Sequence, residues 1–192
     1  MIAIIKYNAG NIRSVQNALN RLGFESIITD DPKKILEAEK VIFPGVGEAS
    51  SAMKYLKERN LDKTIQQVKN PILGICLGLQ LMCDHSEEAN TKCLGIFNTA
   101  VKKFPPIEKV PHMGWNDFIE VKGRLFDGIS IENDVYYVHA YYAELNTNTV
   151  AKCNYILPFS AALEYKNFYA TQFHPEKSAD VGEIILKNFL AL

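Results

Sequence analysis

The chain has 192 residues, 47% hydrophobic and 22% charged, enough to bury a sizeable core and ordinary for a globular protein. Its 21 basic side chains balance 22 acidic ones, which argues against a strong field for nucleic acid or an anionic membrane. The N-terminus "MIAIIKYNAGN" lacks the basic start and long apolar region of a signal peptide, and no stretch reaches the roughly 18 apolar residues of a membrane span, so the expected location is the cytoplasm.

The predicted elements begin with a continuous apolar strand, "IAIIKY" (2–7). A helix over 11–23 follows, with Ile12, Val15, Ala18, Leu19 and Leu22 on one face and Gly23 where a helix end favours glycine. Strand 24–29 and a short helix over 32–39, opened by Pro32, come next. "KVIFPG" (40–45) reads as a strand ending in a breaker, 50–60 and 61–69 as helices, 71–76 as a buried strand and 77–83 as a helix. Strands without alternation, each followed by a helix, imply a parallel sheet covered on both faces with right-handed crossovers. The second half is richer in strands: 95–104, 134–145, 149–156, 160–165 and 168–174. A loop is expected over 103–111 and a closing helix over 178–192. No repeat or linker divides the chain, so one domain over 1–192 is expected: α/β, with a mostly parallel central sheet flanked by helices and a β-rich second half.

"PILGICLGLQLM" (71–82) carries the chemistry. Gly74-x-Cys76-x-Gly78 at a strand-to-helix junction has the nucleophile-elbow pattern with sulfur in place of oxygen. The sharp turn strains the nucleophile's backbone, so its neighbours must be small. The turn lifts the sulfur clear, and the helix start favours a thiolate and offers N–H groups to an oxyanion. A buried cysteine between packing glycines is the alternative for this motif alone. A thiolate needs an oriented base. "QFHPE" supplies His174 with Glu176 two residues on. Residues two apart in an extended segment point the same way, and Pro175 keeps His174 out of the helical region. Alone, His-Pro-Glu is more often a strand-end turn; the elbow earlier in the chain, with nucleophile first and histidine late, gives it weight. His112 and His139 lie in aromatic stretches that suit a packed imidazole, and His85 is expected to be exposed. Cys83, Cys93 and Cys153 are expected to be packing residues; no CxxC pair is present, and neither metal nor cofactor is expected. "FPGVG" (43–47) could lie beside the elbow and lend N–H groups around Val46 and Gly47, though taken alone the segment reads first as an ordinary β–α turn.

"GICLG", "FPGVG" and "FHPEKS" together resemble the class I glutamine amidotransferases. "PHMGWN" (111–116) and "YYVHAYY" (136–142) narrow the likeness to glutaminase subunits of imidazole glycerol-phosphate synthases. The resemblance implies hydrolysis of L-glutamine to glutamate and ammonia. The ammonia would pass to a cyclase partner, a (β/α)8 barrel forming a heterodimer with the glutaminase. That partner would use it on PRFAR to make imidazole glycerol phosphate and AICAR in histidine biosynthesis. The resemblance implies Cys76 as nucleophile, His174 as general acid/base and Glu176 as its orienter. Val46, Gly47, Leu77 and Gln80 would serve the oxyanion and glutamine; Asn11, Tyr136 and Lys177 would face the cyclase. It also implies an oxyanion strand that turns before the hole forms. Three departures stand out: "IKYNAGN" where Asp-Tyr-Gly often precedes the Gly-Asn, Ala140 where a hydroxyl is frequent, and Ala179 where glycine is common, expected to matter little. Other amidotransferase glutaminases share the triad but not "HMGWN"; a non-catalytic binding subunit is the alternative of another class.

Overall fold

The computed structural model describes residues 1–192. In chain order the elements are β1 (Ile2–Ile5), α1 (Ile12–Arg21), β2 (Ser26–Thr29), α2 (Pro32–Glu37), β3 (Lys40–Phe43), α3 (Ala49–Glu58) and α4 (Leu61–Gln67). Next come β4 (Ile72–Ile75), α5 (Leu77–Met82), β5 (Cys83–Ser86), β6 (Thr91–Lys92), β7 (Phe97–Lys103), β8 (His112–Asn116) and β9 (Glu120–Val121). The chain closes with β10 (Val135–His139), β11 (Tyr141–Ala143), β12 (Thr149–Tyr155), β13 (Leu157–Tyr165), β14 (Phe168–Thr171) and α6 (Ala179–Leu190).

Eight strands form the main sheet in the order β2-β1-β3-β4-β14-β13-β12-β9. The first five run parallel; β13, β12 and β9 pair antiparallel. β8 and β10 form a separate antiparallel pair, and β11-β7-β5-β6 a small second sheet. The lack of alternation in β1 now has its reason: Ala3 and Ile5 enter one core with α2, α3 and α4, while Ile2 and Ile4 enter the other with α1 and α6. Both faces are dry, so both faces must be apolar.

Local signals explain the helices. α1 buries Val15, Ala18 and Leu19 on one stripe. Pro32 opens α2 behind the Asp31 carboxylate, which accepts the Lys33 N–H at 2.9 Å. Glu48 caps α3 by accepting the N–H groups of Ser50 and Ser51. Several expected spans are shorter in the structure. The first strand stops at Ile5, and the long β-run over 134–145 breaks at Ala140 into β10 and β11. The last strand ends at Thr171, so His174 lies beyond it, leading into a single 3-10 turn over Pro175–Lys177. His85 is half-buried in β5 rather than exposed.

Candidate active site

The carboxyl ends of β4 and β14 lie side by side, and their ladder continues beyond the strands. Thr171 pairs with Ile75, and the Cys76 N–H donates to the Thr171 carbonyl at 2.8 Å. Cys76 therefore sits at the sheet's carboxyl edge, where open α/β sheets bind ligands. Its backbone is strained, at φ 53° and ψ −104°, a left-handed conformation for a residue with a side chain. Gly78 permits the elbow: a Cβ there would stand 2.0 Å from the Phe43 carbonyl oxygen, so α5 rests directly on β3.

His174 arrives on the loop after β14. Its N–H donates to the Tyr136 carbonyl of β10 at 2.9 Å, and its own carbonyl accepts the Ser178 hydroxyl at 2.7 Å. Ser178 Oγ in turn accepts the Tyr136 N–H at 2.9 Å, clasping the loop to β10. His174 Nδ1 pairs with Glu176 Oε1 at 2.7 Å, both side chains fully buried. The pairing follows the sequence pattern, but its geometry is a 3-10 turn rather than an extended segment. Asn11 adds a third member, its amide donating to Glu176 Oε1 and lying 3.3 Å from His174 Nδ1. The other imidazole nitrogen, Nε2, is buried with no hydrogen-bond partner, and the Cys76 sulfur is close enough to act on its charge. Burial alone would lower the His174 pKa. The charge of a Cys76 thiolate and the Glu176 carboxylate outweigh it and push the imidazole up to about 10. A cysteine thiolate facing an imidazolium can attack a carbonyl and protonate a leaving amine.

A cavity of about 200 Å³ opens over the sulfur, lined by Val46, Gly47, Leu77, Gln80, Glu88 and the β10–β11 segment Val138–Tyr141. Val46, Gly47, Leu77 and Gln80 are thus brought to one cavity with Cys76, as the sequence pattern leads one to expect. Ala140 also lines it through backbone and a methyl group. Asn11 touches the His174–Glu176 pair, Tyr136 holds the His174 backbone, and the Lys177 ammonium lies 5.9 Å from the centre of the Tyr136 ring.

Three residues at the site escape a reading of the sequence. Gln172 is fully buried and donates to Cys76 Sγ at 3.6 Å, while its Oε1 accepts from Gln80 at 3.1 Å. Its position two residues before His174 is the one available signal. Glu88 brings the one carboxylate of the cavity lining, half-buried and accepting the Ala49 N–H at 2.7 Å. Burial raises its carboxyl pKa against that hydrogen bond. Tyr7 is buried at the carboxyl end of β1 with its hydroxyl unpartnered.

The histidines behind the cavity form a chain with determined tautomers. His139 Nδ1 lies 2.7 Å from the Tyr141 carbonyl, so it must carry the proton. Its Nε2 then accepts from His112 Nδ1 at 3.0 Å, and His112 Nε2 accepts from Asn116 at 3.2 Å. Burial lowers the pKa of His139 to about 3 and of His112 to about 4, so both are neutral at pH 7. The Tyr141 carbonyl also accepts the Gln80 amide at 3.0 Å, linking this chain through Gln172 to the thiol.

The family model "Glutamine amidotransferase class-I" matches residues 3–192. An "Imidazole glycerol phosphate synthase subunit HisH" from Bacteroides fragilis is 58% identical, covering 100% of this chain and 99% of the relative. A like-named protein of Bacteroides thetaiotaomicron is 54% identical, again over 100% and 99%. One from Haemophilus influenzae is 46% identical over 98% of this chain and 96% of its own. Among solved structures, a chain of PurLQS from Thermotoga maritima superposes with a TM-score of 0.74 at 19% identity, covering 99% of this chain and 97% of that one. At that identity the likeness speaks for the fold.

Proposed function

The chain belongs to the class I glutamine amidotransferase family, and on that premise we propose that it is the glutaminase subunit of an imidazole glycerol phosphate synthase. It hydrolyses L-glutamine to glutamate and delivers the ammonia to a barrel-shaped cyclase subunit, in histidine biosynthesis. The names borne by full-length relatives of 54–58% identity support the assignment. The observation that carries the chemistry is a cavity lined by Cys76 at the carboxyl edge of β4 and β14, with the buried His174–Glu176 pair beside that sulfur.

Cys76 Sγ attacks the side-chain amide carbon of glutamine. The C–N bond then breaks, ammonia departs with a proton from His174, and a thioester remains. Water attacks the thioester with His174 now acting as base, and glutamate leaves. Glu176 and Asn11 hold the imidazole in one tautomer. Glu88 faces the cavity with a charge suited to the substrate's α-ammonium group, and Gln80 lines its floor.

The oxyanion strand is in a resting arrangement. The Leu77 N–H, which follows the nucleophile, donates to the Gly45 carbonyl at 3.2 Å, and the Val46 carbonyl accepts the Gly10 N–H at 3.2 Å. Turning over the Gly45–Val46 peptide releases the Leu77 N–H and brings the Val46 N–H toward the substrate. Losing one such donor costs about 10²–10³ in rate, so this turn is the switch by which the partner governs turnover. The docking face is the exposed Met113 and Trp115 of β8 together with Tyr136, Asn11 and Lys177.

Glutamate release by the complex with its barrel subunit tests the reading. Cys76→Ala is expected to abolish glutamine-dependent synthesis while ammonia-dependent synthesis by the partner continues; retained glutaminase activity in that variant refutes the nucleophile.

A further inference from the structure

Tyr7 poses a problem that the resting structure does not solve. The residue is 5% exposed, yet its hydroxyl has no hydrogen-bond partner. Burying a donor unpaired is unfavourable, and such groups call for an explanation. The ring packs on Phe43 with centroids 5.1 Å apart, which keeps the hydroxyl inside the fold. Burial raises its pKa well above the usual phenol range, with the nearby Cys76 charge adding to the effect, so it stays a neutral donor.

What the hydroxyl faces is the oxyanion strand. β1 and β3 pair in parallel with Ile4 opposite Ile42, and the same register carried three residues on sets Tyr7 opposite Gly45. The approach is so close that a Cβ on Gly45 would lie 2.0 Å from Tyr7 Oη. Glycine there leaves room for the hydroxyl. In the resting structure the Gly45 carbonyl is turned away to the Leu77 N–H. A peptide that turns over must withdraw its carbonyl from that N–H and find it another donor, because an orphaned buried carbonyl is costly.

We propose that Tyr7 is a positioning residue for the oxyanion hole: its hydroxyl receives the Gly45 carbonyl when the Gly45–Val46 peptide turns over, and so holds the strand in the competent arrangement. One donor would then be unpaired at rest and satisfied during turnover. The resting state carries the unfavourable hydroxyl, which narrows the gap between the two states. The inference rests on the assignment of Cys76 as nucleophile and of the Leu77 N–H as an oxyanion donor.

The phenol-to-phenyl exchange tests it, because the two states respond in opposite directions. In the complex with the barrel subunit, Tyr7→Phe is expected to lower kcat for glutamate release about tenfold or more, a loss of one turnover-only hydrogen bond. KM for glutamine should stay within about twofold. The melting temperature of the free chain should be unchanged or raised, since an unpaired hydroxyl is removed. Alkylation of Cys76 by iodoacetamide, a displacement that forms no oxyanion, should proceed at the parent rate. A kcat within about twofold of the parent overturns the proposal. So does an alkylation rate or melting temperature that falls together with kcat, which would assign Tyr7 to the thiol or to packing. The parent complex serves as the control. If it releases no glutamate, the amidotransferase reading itself fails; if it does and Tyr7→Phe matches it, only the Tyr7 role fails.

Discussion

His174 decides how the site depends on pH. Its imidazole is raised from near 6.5 to about 10, so it is an imidazolium through the neutral range. On the proposed mechanism, the acid for the leaving ammonia is then present at pH 7 and is lost as pH climbs through the raised value. Glu176→Gln removes one contributor to that rise, the carboxylate at 2.7 Å. The folded-state pKa of the free enzyme then drops, and the alkaline limb of the kcat/KM profile should move to lower pH, with kcat at neutral pH down by about tenfold or more. An unmoved limb would mean that Glu176 does not govern the proton. Cys76, His174 and Glu176 are legible from the sequence because each sits in a short pattern with its own chemical logic. Tyr7 and Glu88 are not, since a lone tyrosine after a strand and a lone glutamate after a turn carry no local pattern. Their meaning comes from what folding places against them, Gly45 and the cavity.

At the level of elements, the start of α6 shows where a reading of the sequence falls short. There Ala179 looks like a minor substitution for glycine. Its φ is 47°, a left-handed conformation that disfavours a side chain. Close by, a Cβ on Gly182 would lie 1.9 Å from the Pro175 carbonyl oxygen, so α6 packs tightly on the turn that carries Glu176. Ala179→Gly should thus stabilise the fold by about 1 kcal/mol, read as a higher urea midpoint at constant slope. A lower midpoint would show that the conformation carries no strain. The first half of the chain is readable because unbroken apolar strands alternate with single-faced helices. β5, β6 and β9 are not. They are two to four residues long, and "CDHS" in β5 has no alternating pattern to detect. "PHMGWN" stands out as a motif, but its strand β8 is half exposed and pairs only with β10, so its period is weak.

Across the whole molecule, the His174 loop and the proposed docking face share β10. One edge of that strand holds His174 and Ser178 through Tyr136, and the other pairs with β8, whose Trp115 is 53% and Met113 59% exposed. The Trp115 ring meets the Tyr136 ring edge-on with centroids 5.9 Å apart. In the proposed complex, a partner seated on β8 would be joined to the histidine loop through that one strand. Trp115→Ala should weaken association with the barrel subunit by about 2 kcal/mol, roughly 30-fold in Kd, and leave the melting temperature of the free chain unchanged. Unaltered Kd would remove β8 from the docking face. Cys76 directly follows the fourth strand and His174 comes after the fourteenth, though those two strands are neighbours in the sheet. During synthesis on the ribosome the sulfur emerges long before its base does. A chain ended before residue 174 carries the thiol of the elbow without the imidazole and carboxylate that the complete fold sets beside it.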